Sequence, residues 1–163
     1  MLIRQATTGD IDDIMRTYDT ARTFMRANGN SSQWVNGYPS RELVEDDIAQ
    51  GACFVIEGDD GCIHGVFAFF IGDDPTYAII EDGAWLNDEP YGTIHRIGSD
   101  GALRGALAAA VAFACKRAGN VRVDTHADNT PMQNALIKAG FIRCGVIYCQ
   151  DGTPREAFQL VCQ

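Results

Sequence analysis

The sequence predicts an α+β (mixed α/β) fold in which helices cover both faces of a single mixed sheet. Apolar residues recur at helical spacing in the first third of the chain. Short extended runs separated by glycine and aspartate turns then indicate an antiparallel meander. The last third alternates strand, helix, strand, helix and hairpin, which requires a parallel crossover beside antiparallel pairs.

The first third of the chain predicts one short strand and two helices. Leu2 to Arg4 forms the strand, and Asp10 is the candidate N-cap of a helix whose apolar spacing continues to about Ala27. Asn28-Gly29 stops this helix because glycine readily adopts the conformation found at a helix C-terminus. A second, shorter helix is predicted over Arg41 to Gln50.

Turn residues divide the middle of the chain into strands. Gly58-Asp59-Asp60-Gly61 separates extended runs over Cys53 to Glu57 and Ile63 to Ile71, which predicts a hairpin. A further turn, Gly72 to Pro75, precedes a predicted strand over Tyr77 to Ile80.

A strand over Thr93 to Ser99 leads through Asp100-Gly101 into a predicted helix over Ala102 to Arg117. Small apolar residues form a stripe on that helix, so it can lie close against a sheet. The next helix starts with Thr130 as N-cap, Pro131 at the first position and Gln133 closing a capping box. The remaining predicted strands are Asn120 to Thr125, Phe141 to Cys149 and Arg155 to Cys162.

Composition limits the classes of protein to which the chain can belong. With 163 residues, 46% of them apolar, we expect one folded domain over residues 1–163. The formal charge of −9 repels phosphate backbones, which argues against nucleic acid and favours a cationic partner. The longest apolar run is too short to span a bilayer, so we expect no membrane partner.

The cysteines and histidines give no metal-site pattern. The six cysteines contain no Cys-x-x-Cys pair, and the N-terminus lacks the apolar stretch of a signal peptide. We therefore expect a cytoplasmic protein whose cysteines remain thiols. The three histidines are too scattered in sequence to indicate a metal site.

The junction between the strand ending at Ser99 and the following helix is the strongest candidate for a ligand site. Unpaired amides at a helix start carry about half a positive charge and bind phosphate without needing a basic protein. Arg104 could add a cationic clamp. The same junction also occurs without a ligand, because every strand-helix connection needs a turn.

The segment from Asp128 to Phe141 resembles the Asn-x-x-Ala-x-x-x-Tyr-x-x-x-Gly-Phe segment of the GNAT acetyltransferase superfamily. Asn129, Gly140 and Phe141 occupy the family positions, and Met132 stands where alanine is usual. The resemblance extends over essentially the whole chain and implies a GNAT-like twisted sheet. Three further runs are similar to a bacterial branch of the superfamily: Gln33 to Pro39, Tyr91 to Ile97 and Val121 to His126.

The resemblance implies that acetyl-CoA binds along the strand Thr93 to Ser99. Its pantetheine arm would pair with the backbone of this strand, and Asn129 and Met132 of the later helix would also contribute. The implied pyrophosphate loop departs from the family pattern, Gln/Arg-x-x-Gly-x-Gly/Ala, because only its first glycine is present. The other implied cofactor-binding residues are Ile97, Gly98, Ser99, Leu103, Arg104, Gly105, Ala106, Leu107 and Ala108.

His95 is the first candidate for the general base, since it lies beside the expected thioester and histidine titrates near neutral pH. A core histidine bonded to the backbone is the alternative interpretation. His126 is the second candidate and Glu81 the third. In a regular strand, His95 and Arg96 would face opposite sides of the sheet.

The general acid is less well indicated. Family members often use a tyrosine in the later helix, and this position is Leu136 here. Tyr148 and Cys144 are the remaining candidates, and both residue types are also common as packing residues of a sheet.

Trp34, Tyr38 and Trp85 lie in predicted loops that the family places over the acceptor site. Aromatic walls suit a cationic amine, although loop aromatics can also close the ends of a small core. The resemblance therefore implies an N-acetyltransferase that moves an acetyl group from acetyl-CoA to a primary amine of a small molecule or peptide. The alternative is a catalytically silent acyl-CoA-binding or regulatory module, and a homodimer stays open.

Overall fold

The computed structural model describes residues 1–163 and contains four α-helices and a seven-stranded sheet. The helices are α1 (Ile11–Ala27), α2 (Arg41–Ala49), α3 (Ala106–Cys115) and α4 (Thr130–Lys138). The strands are β1 (Leu2–Gln5), β2 (Cys53–Glu57), β3 (Ile63–Ile71), β4 (Gly92–Ser99), β5 (Asn120–Thr125), β6 (Ile142–Tyr148) and β7 (Pro154–Val161). No helix is long and apolar enough to cross a membrane.

The sheet has the order β1-β2-β3-β4-β5-β7-β6. β4 and β5 pair in parallel, whereas the pairs β1 with β2, β2 with β3, β5 with β7 and β6 with β7 are antiparallel. Parallel and antiparallel pairing in one sheet confirms the predicted mixed α/β class.

The chain divides into two compact units, Met1–Phe69 with His95–Ala110 and Phe70–Ile94 with Val111–Gln163. In the first unit, α1 buries Ile14 and Tyr18 against Val44 of α2 and Val55 of β2. In the second unit, Tyr77, Tyr91, Ile147 and Ala157 form a buried cluster. The expectation of a single domain stays a prediction.

Asp10 occupies the N-cap position of α1 as predicted, but its side chain makes no capping hydrogen bond to this helix. The residue closes a short 3-10 helix, Thr8–Asp10, and its carboxylate accepts two hydrogen bonds from Arg4 at 2.8 and 2.9 Å. The Arg4 hydrogen bond lowers the pKa of Asp10 to about 2. The Asp10 carboxylate therefore pairs with Arg4, six residues away in sequence, and does not bond the first amides of α1.

Two local predictions are wrong. Tyr77–Ile80 is not a strand, because Pro75–Tyr77 forms a 3-10 helix capped by the side chain of Asp74, which accepts from the Thr76 amide. The N-cap of α4 is Asn129 and not Thr130, since the Asn129 side chain accepts from the Met132 amide at 3.2 Å. In both cases a neighbouring Asx side chain offers the hydrogen bond that decides the local conformation.

The expectation that all six cysteines are thiols is wrong for two of them. Cys115 at the end of α3 and Cys162 after β7 form a disulfide, whereas the other four cysteines are free. Sequence spacing did not indicate this pair, because the two residues are 47 positions apart. The cytoplasmic location stays a prediction.

We expect Cys115→Ser to lower the free energy of unfolding by about 2–4 kcal/mol, because a cross-link restricts the unfolded chain. Thermal denaturation with and without a dithiol reductant measures the effect. The exposed free cysteine Cys62, replaced by serine, is the matched control and should leave the melting temperature unchanged. An oxidised wild type whose melting temperature does not respond to the reductant would contradict the disulfide.

Candidate functional site

The strand β4 is irregular where the sequence analysis placed the reactive centre. Arg96 has a φ of 51°, a conformation that residues other than glycine rarely adopt. The premise of regular alternation between His95 and Arg96 therefore does not hold. Strained backbone of this kind persists only where surrounding contacts determine it.

Contacts from two helices hold this part of β4. The Arg96 guanidinium donates two hydrogen bonds to Asp47 of α2, at 3.0 and 2.8 Å. The Tyr18 hydroxyl of α1 donates to the Arg96 carbonyl at 2.7 Å. At Gly98, a Cβ atom would lie 3.1 Å from the Tyr18 ring, so the strand passes close to α1.

His95 is partly buried and directly precedes Arg96 in the chain. Its charge also influences Asp47. Burial raises the pKa of Asp47, and the charges of Arg96 and His95 oppose that rise. No motif or spacing in the sequence indicates a role for Asp47.

The start of α3 leaves backbone amides without acceptors in the helix. The helix begins at Ala106 and not at Ala102, because the preceding residues form a turn. Its first intrahelical bond runs from the Ala109 amide to the Gly105 carbonyl at 2.9 Å, so the amides of residues 106–108 have no acceptor within the helix. Gly105 has a φ of 82°, and a Cβ there would meet no atom within 4 Å.

Unpaired amides at a helix start can bind an anionic group such as a phosphate. The approach to the amides is free at Gly105, Arg104 is exposed beside it, and Leu107 is partly buried. Leu103, Ala106 and Ala108 complete the segment that the sequence analysis named.

The turn before α3 is held by charged side chains. Asp100 accepts from the Ala102 amide at 3.0 Å, and its other oxygen lies 2.8 Å from Nδ1 of His64 on β3. Arg16 of α1 approaches the same oxygen at 3.4 Å. The hydrogen bonds to Asp100 and Asp60 raise the pKa of His64.

This raised pKa predicts a pH-dependent stability. The protonated form of His64 contributes fully below its unfolded pKa of about 6.5, and the contribution is lost as pH rises through the higher folded pKa. The melting temperature of His64→Gln should therefore fall furthest below wild type under mildly acidic conditions. Above the folded pKa the two curves should converge, whereas parallel curves across the pH range would contradict the prediction.

In the second unit, Glu81 and Tyr148 form a pair. Glu81 makes an isolated antiparallel bridge to Val146 of β6, with hydrogen bonds of 2.9 and 2.8 Å. Gly145 permits this approach, since a Cβ there would lie 2.4 Å from the Glu81 carbonyl oxygen. The Tyr148 hydroxyl donates to Glu81 at 3.0 Å, which raises the pKa of Tyr148.

The other candidates of the second unit have local structural partners. His126 accepts from the Asp128 amide through Nδ1 at 3.0 Å, which shapes the turn before α4. Asn129 caps α4, and Met132 lies partly buried in its first turn. The base role of His126 and the cofactor-binding roles of Asn129 and Met132 stay predictions.

The acid candidates differ in exposure. Leu136 is completely buried and belongs to the core. Cys144 is also buried, and its thiol donates to the Ile142 carbonyl at 3.3 Å. Burial raises the pKa of Cys144. Tyr148 is exposed, so solvent reaches its hydroxyl.

Two of the three loop aromatics pack against a core. Trp34 packs edge-on against Tyr18, with ring centroids 5.4 Å apart. Trp85 packs against the cluster around Tyr77 and stacks on Arg122, whose guanidinium carbon lies 4.1 Å from its ring centre. Tyr38 is exposed, with its ring 6.4 Å from that of Trp34. Tyr38 is thus the most exposed of these three aromatic residues.

The contacts that organise β4 could not be inferred from sequence. Asp47 and Arg96 are 49 residues apart, and Tyr18 and Arg96 are 78 apart. No motif or spacing links them. No three His, Cys, Asp or Glu side chains lie together as a metal site.

Comparison with known proteins identifies a family. A profile of the acetyltransferase (GNAT) domain matches residues 1–142. The crystal structure of a GNAT-family acetyltransferase from Streptococcus agalactiae 2603 has 33% sequence identity and a TM-score of 0.88, covering 99% of this chain and 95% of that chain. No curated protein matches the chain.

Two more distant structures support the fold alone. A putative acetyltransferase from Staphylococcus aureus Mu50 has 24% identity and a TM-score of 0.71, with full coverage of both chains. A structure described as histone acetyltransferase HPA2 and related acetyltransferase, from Corynebacterium glutamicum ATCC 13032, has 22% identity and a TM-score of 0.63, with 99% and 96% coverage.

Proposed function

This chain belongs to the GNAT acetyltransferase family, and we propose that it transfers an acetyl group from acetyl-CoA to a primary amine of a small molecule or peptide. The observation that carries the proposal is the open start of α3 at Gly105. Backbone amides there supply positive charge without basic side chains. A protein with a net charge of −9 can therefore hold a polyphosphate cofactor.

The thioester of acetyl-CoA supplies the activated acetyl group. An alkylammonium acceptor has a pKa of about 10 and must lose a proton before its nitrogen can attack. We assign this proton to His95, because imidazole titrates near neutral pH and His95 lies on the strand proposed to hold the pantetheine arm. A backbone amide near Ile97 would stabilise the negative charge that develops on the carbonyl oxygen.

Tyr148 is the proposed proton donor to the departing thiolate. Its hydroxyl is exposed, and the hydrogen bond to Glu81 raises its pKa, so it stays protonated at neutral pH. Glu81 then acts as the group that orients Tyr148, while His126 is retained as the second candidate base.

The acidic surface and the exposed Tyr38 favour a cationic acceptor. We propose that the protein acts in the cytoplasm, without a metal, nucleic acid or membrane partner. The acceptor's identity is to be sought among primary amines, including amino acids, polyamines and peptide N-termini.

Calorimetry with acetyl-CoA, followed by thiol-release assays with a panel of amines, tests the proposal. Binding with turnover of at least one amine is the expected result. Binding without turnover of any amine would favour a silent acyl-CoA-binding module, which the buried Leu136 at the usual tyrosine position makes the leading alternative. Absence of binding would exclude both functions.

A further inference from the structure

One buried ion pair, Asp47 with Arg96, lies beside two features of the proposed site in the first unit. These features are the strand β4 and the loop that carries Tyr38. The side chains of Asp47 and Arg96 are only 5% and 13% exposed, and the guanidinium engages both carboxylate oxygens. Removing two charges from water is costly, and apolar residues of similar size often stabilise a fold equally well. Stability alone therefore does not account for this pair.

The backbone of Arg96 belongs to the strand that carries His95 and the proposed pantetheine contacts. Its left-handed conformation at φ 51° is held by the Asp47 pair on the side chain and by the Tyr18 hydroxyl on the carbonyl. Two independent contacts thus hold the strained backbone of Arg96 in place.

The side chain of Arg96 also reaches the aromatic loop, residues 28–40. The Tyr38 side chain lies within interaction range of this guanidinium. Arg22 donates to the Tyr38 carbonyl at 3.0 Å, and Trp34 packs against both Tyr18 and Tyr38. The loop is therefore tied to the same guanidinium that holds β4.

We infer that Arg96, oriented by Asp47, is a positioning residue that couples the aromatic loop to the strand carrying His95. The inference rests on the proposed function in so far as the loop binds the acceptor amine. Loosening of the loop should therefore weaken acceptor binding more than acetyl-CoA binding. If the loop is already ordered, less of the acceptor's binding free energy is lost to ordering it.

Amide hydrogen exchange of Asp47→Asn tests the coupling directly. We expect residues 28–40 to exchange at least about 10-fold faster than in wild type, because the loop opens locally when Arg96 loses its partner. Asp10→Asn is the matched control, since it also neutralises the carboxylate of an arginine pair within the first unit. This control should leave exchange in residues 28–40 unchanged.

Tyr38→Phe provides a milder variant in case Asp47→Asn does not fold. It removes only the hydroxyl of the side chain that lies near Arg96, and we expect faster exchange in the same loop. Arg96→Lys keeps the positive charge but lacks the planar guanidinium. We therefore expect its loop to exchange faster than in wild type but more slowly than in Asp47→Asn. Equal exchange in Tyr38→Phe and wild type, or equal loosening in Asp47→Asn and Asp10→Asn, would overturn the inference.

Kinetics provides a second readout, which separates acceptor binding from acetyl-CoA binding. With an amine that the wild type acetylates, the KM for the acceptor should rise about 10-fold in Tyr38→Phe, with kcat and acetyl-CoA affinity changed less. An acetyl-CoA affinity that falls in parallel with the acceptor's would contradict the assignment. If no amine is acetylated, the proposed function fails, while the exchange experiment still decides the coupling.

Discussion

His95→Ala should lower kcat about 100-fold, the usual effect of removing a general base. The acceptor would then lose its proton to water, which is less well positioned than the imidazole on β4. Affinity for acetyl-CoA should stay near that of wild type, because backbone amides of β4 and α3 provide the proposed contacts to the cofactor. Steady-state kinetics gives the first quantity, and calorimetry gives the second.

The pH dependence of the rate separates a base from a structural histidine. The wild-type rate should fall at acidic pH, where an imidazole base is protonated, and His95→Ala should lose that limb of the profile. His126→Ala is the matched control, since it removes the second candidate. A profile that is unchanged in His95→Ala would refute the assignment, and a loss of about 100-fold in His126→Ala alone would move the role to that residue.

Gly105→Val should weaken acetyl-CoA binding by about 10- to 100-fold. Valine is branched at Cβ and disfavours the φ of 82° that Gly105 adopts, so the turn before α3 must rearrange. Its side chain would also fill the free space over which a diphosphate must approach the helix amides. Titration calorimetry with acetyl-CoA measures the loss.

Gly152→Val separates cofactor binding from backbone strain. Gly152 lies in the turn between β6 and β7 with a φ of 83°, and a Cβ there also meets no atom within 4 Å. Both variants should lose similar stability, whereas only Gly105→Val should lose acetyl-CoA affinity. Similar affinities in the two variants would mean that the pyrophosphate does not lie at the start of α3.

Secondary-structure elements whose bounds depend on neighbouring residues were predicted well. The end of α1 at Ala27 and the hairpin strands β2 and β3 were predicted at their observed bounds. Apolar spacing and turn glycines act over a few residues, so the sequence alone displays them. The Gly-Phe pair that follows α4 belongs to a short motif of the same kind, and the motif indicated the GNAT family correctly.

Elements decided by competing side chains were predicted poorly. Tyr77 has the residue type of a strand, yet its hydroxyl donates to Asp124 at 2.6 Å and its backbone forms a 3-10 turn. The helix α3 begins four residues later than predicted, because the turn at Gly105 precedes it. In such segments a helix or turn could begin at several residues. Contacts with residues far away in sequence determine which of them is used.

The sequence by itself determined the mixed fold class, the acidic charge and the GNAT family. Each depends on residue type, periodicity or a short motif, which are properties of neighbouring residues. Only the tertiary structure decided the strained backbone at Arg96, its pairing with Asp47, the Glu81 to Tyr148 contact and the Cys115 to Cys162 disulfide. These contacts join residues 47 to 67 positions apart, and folding creates them only when separate elements pack together.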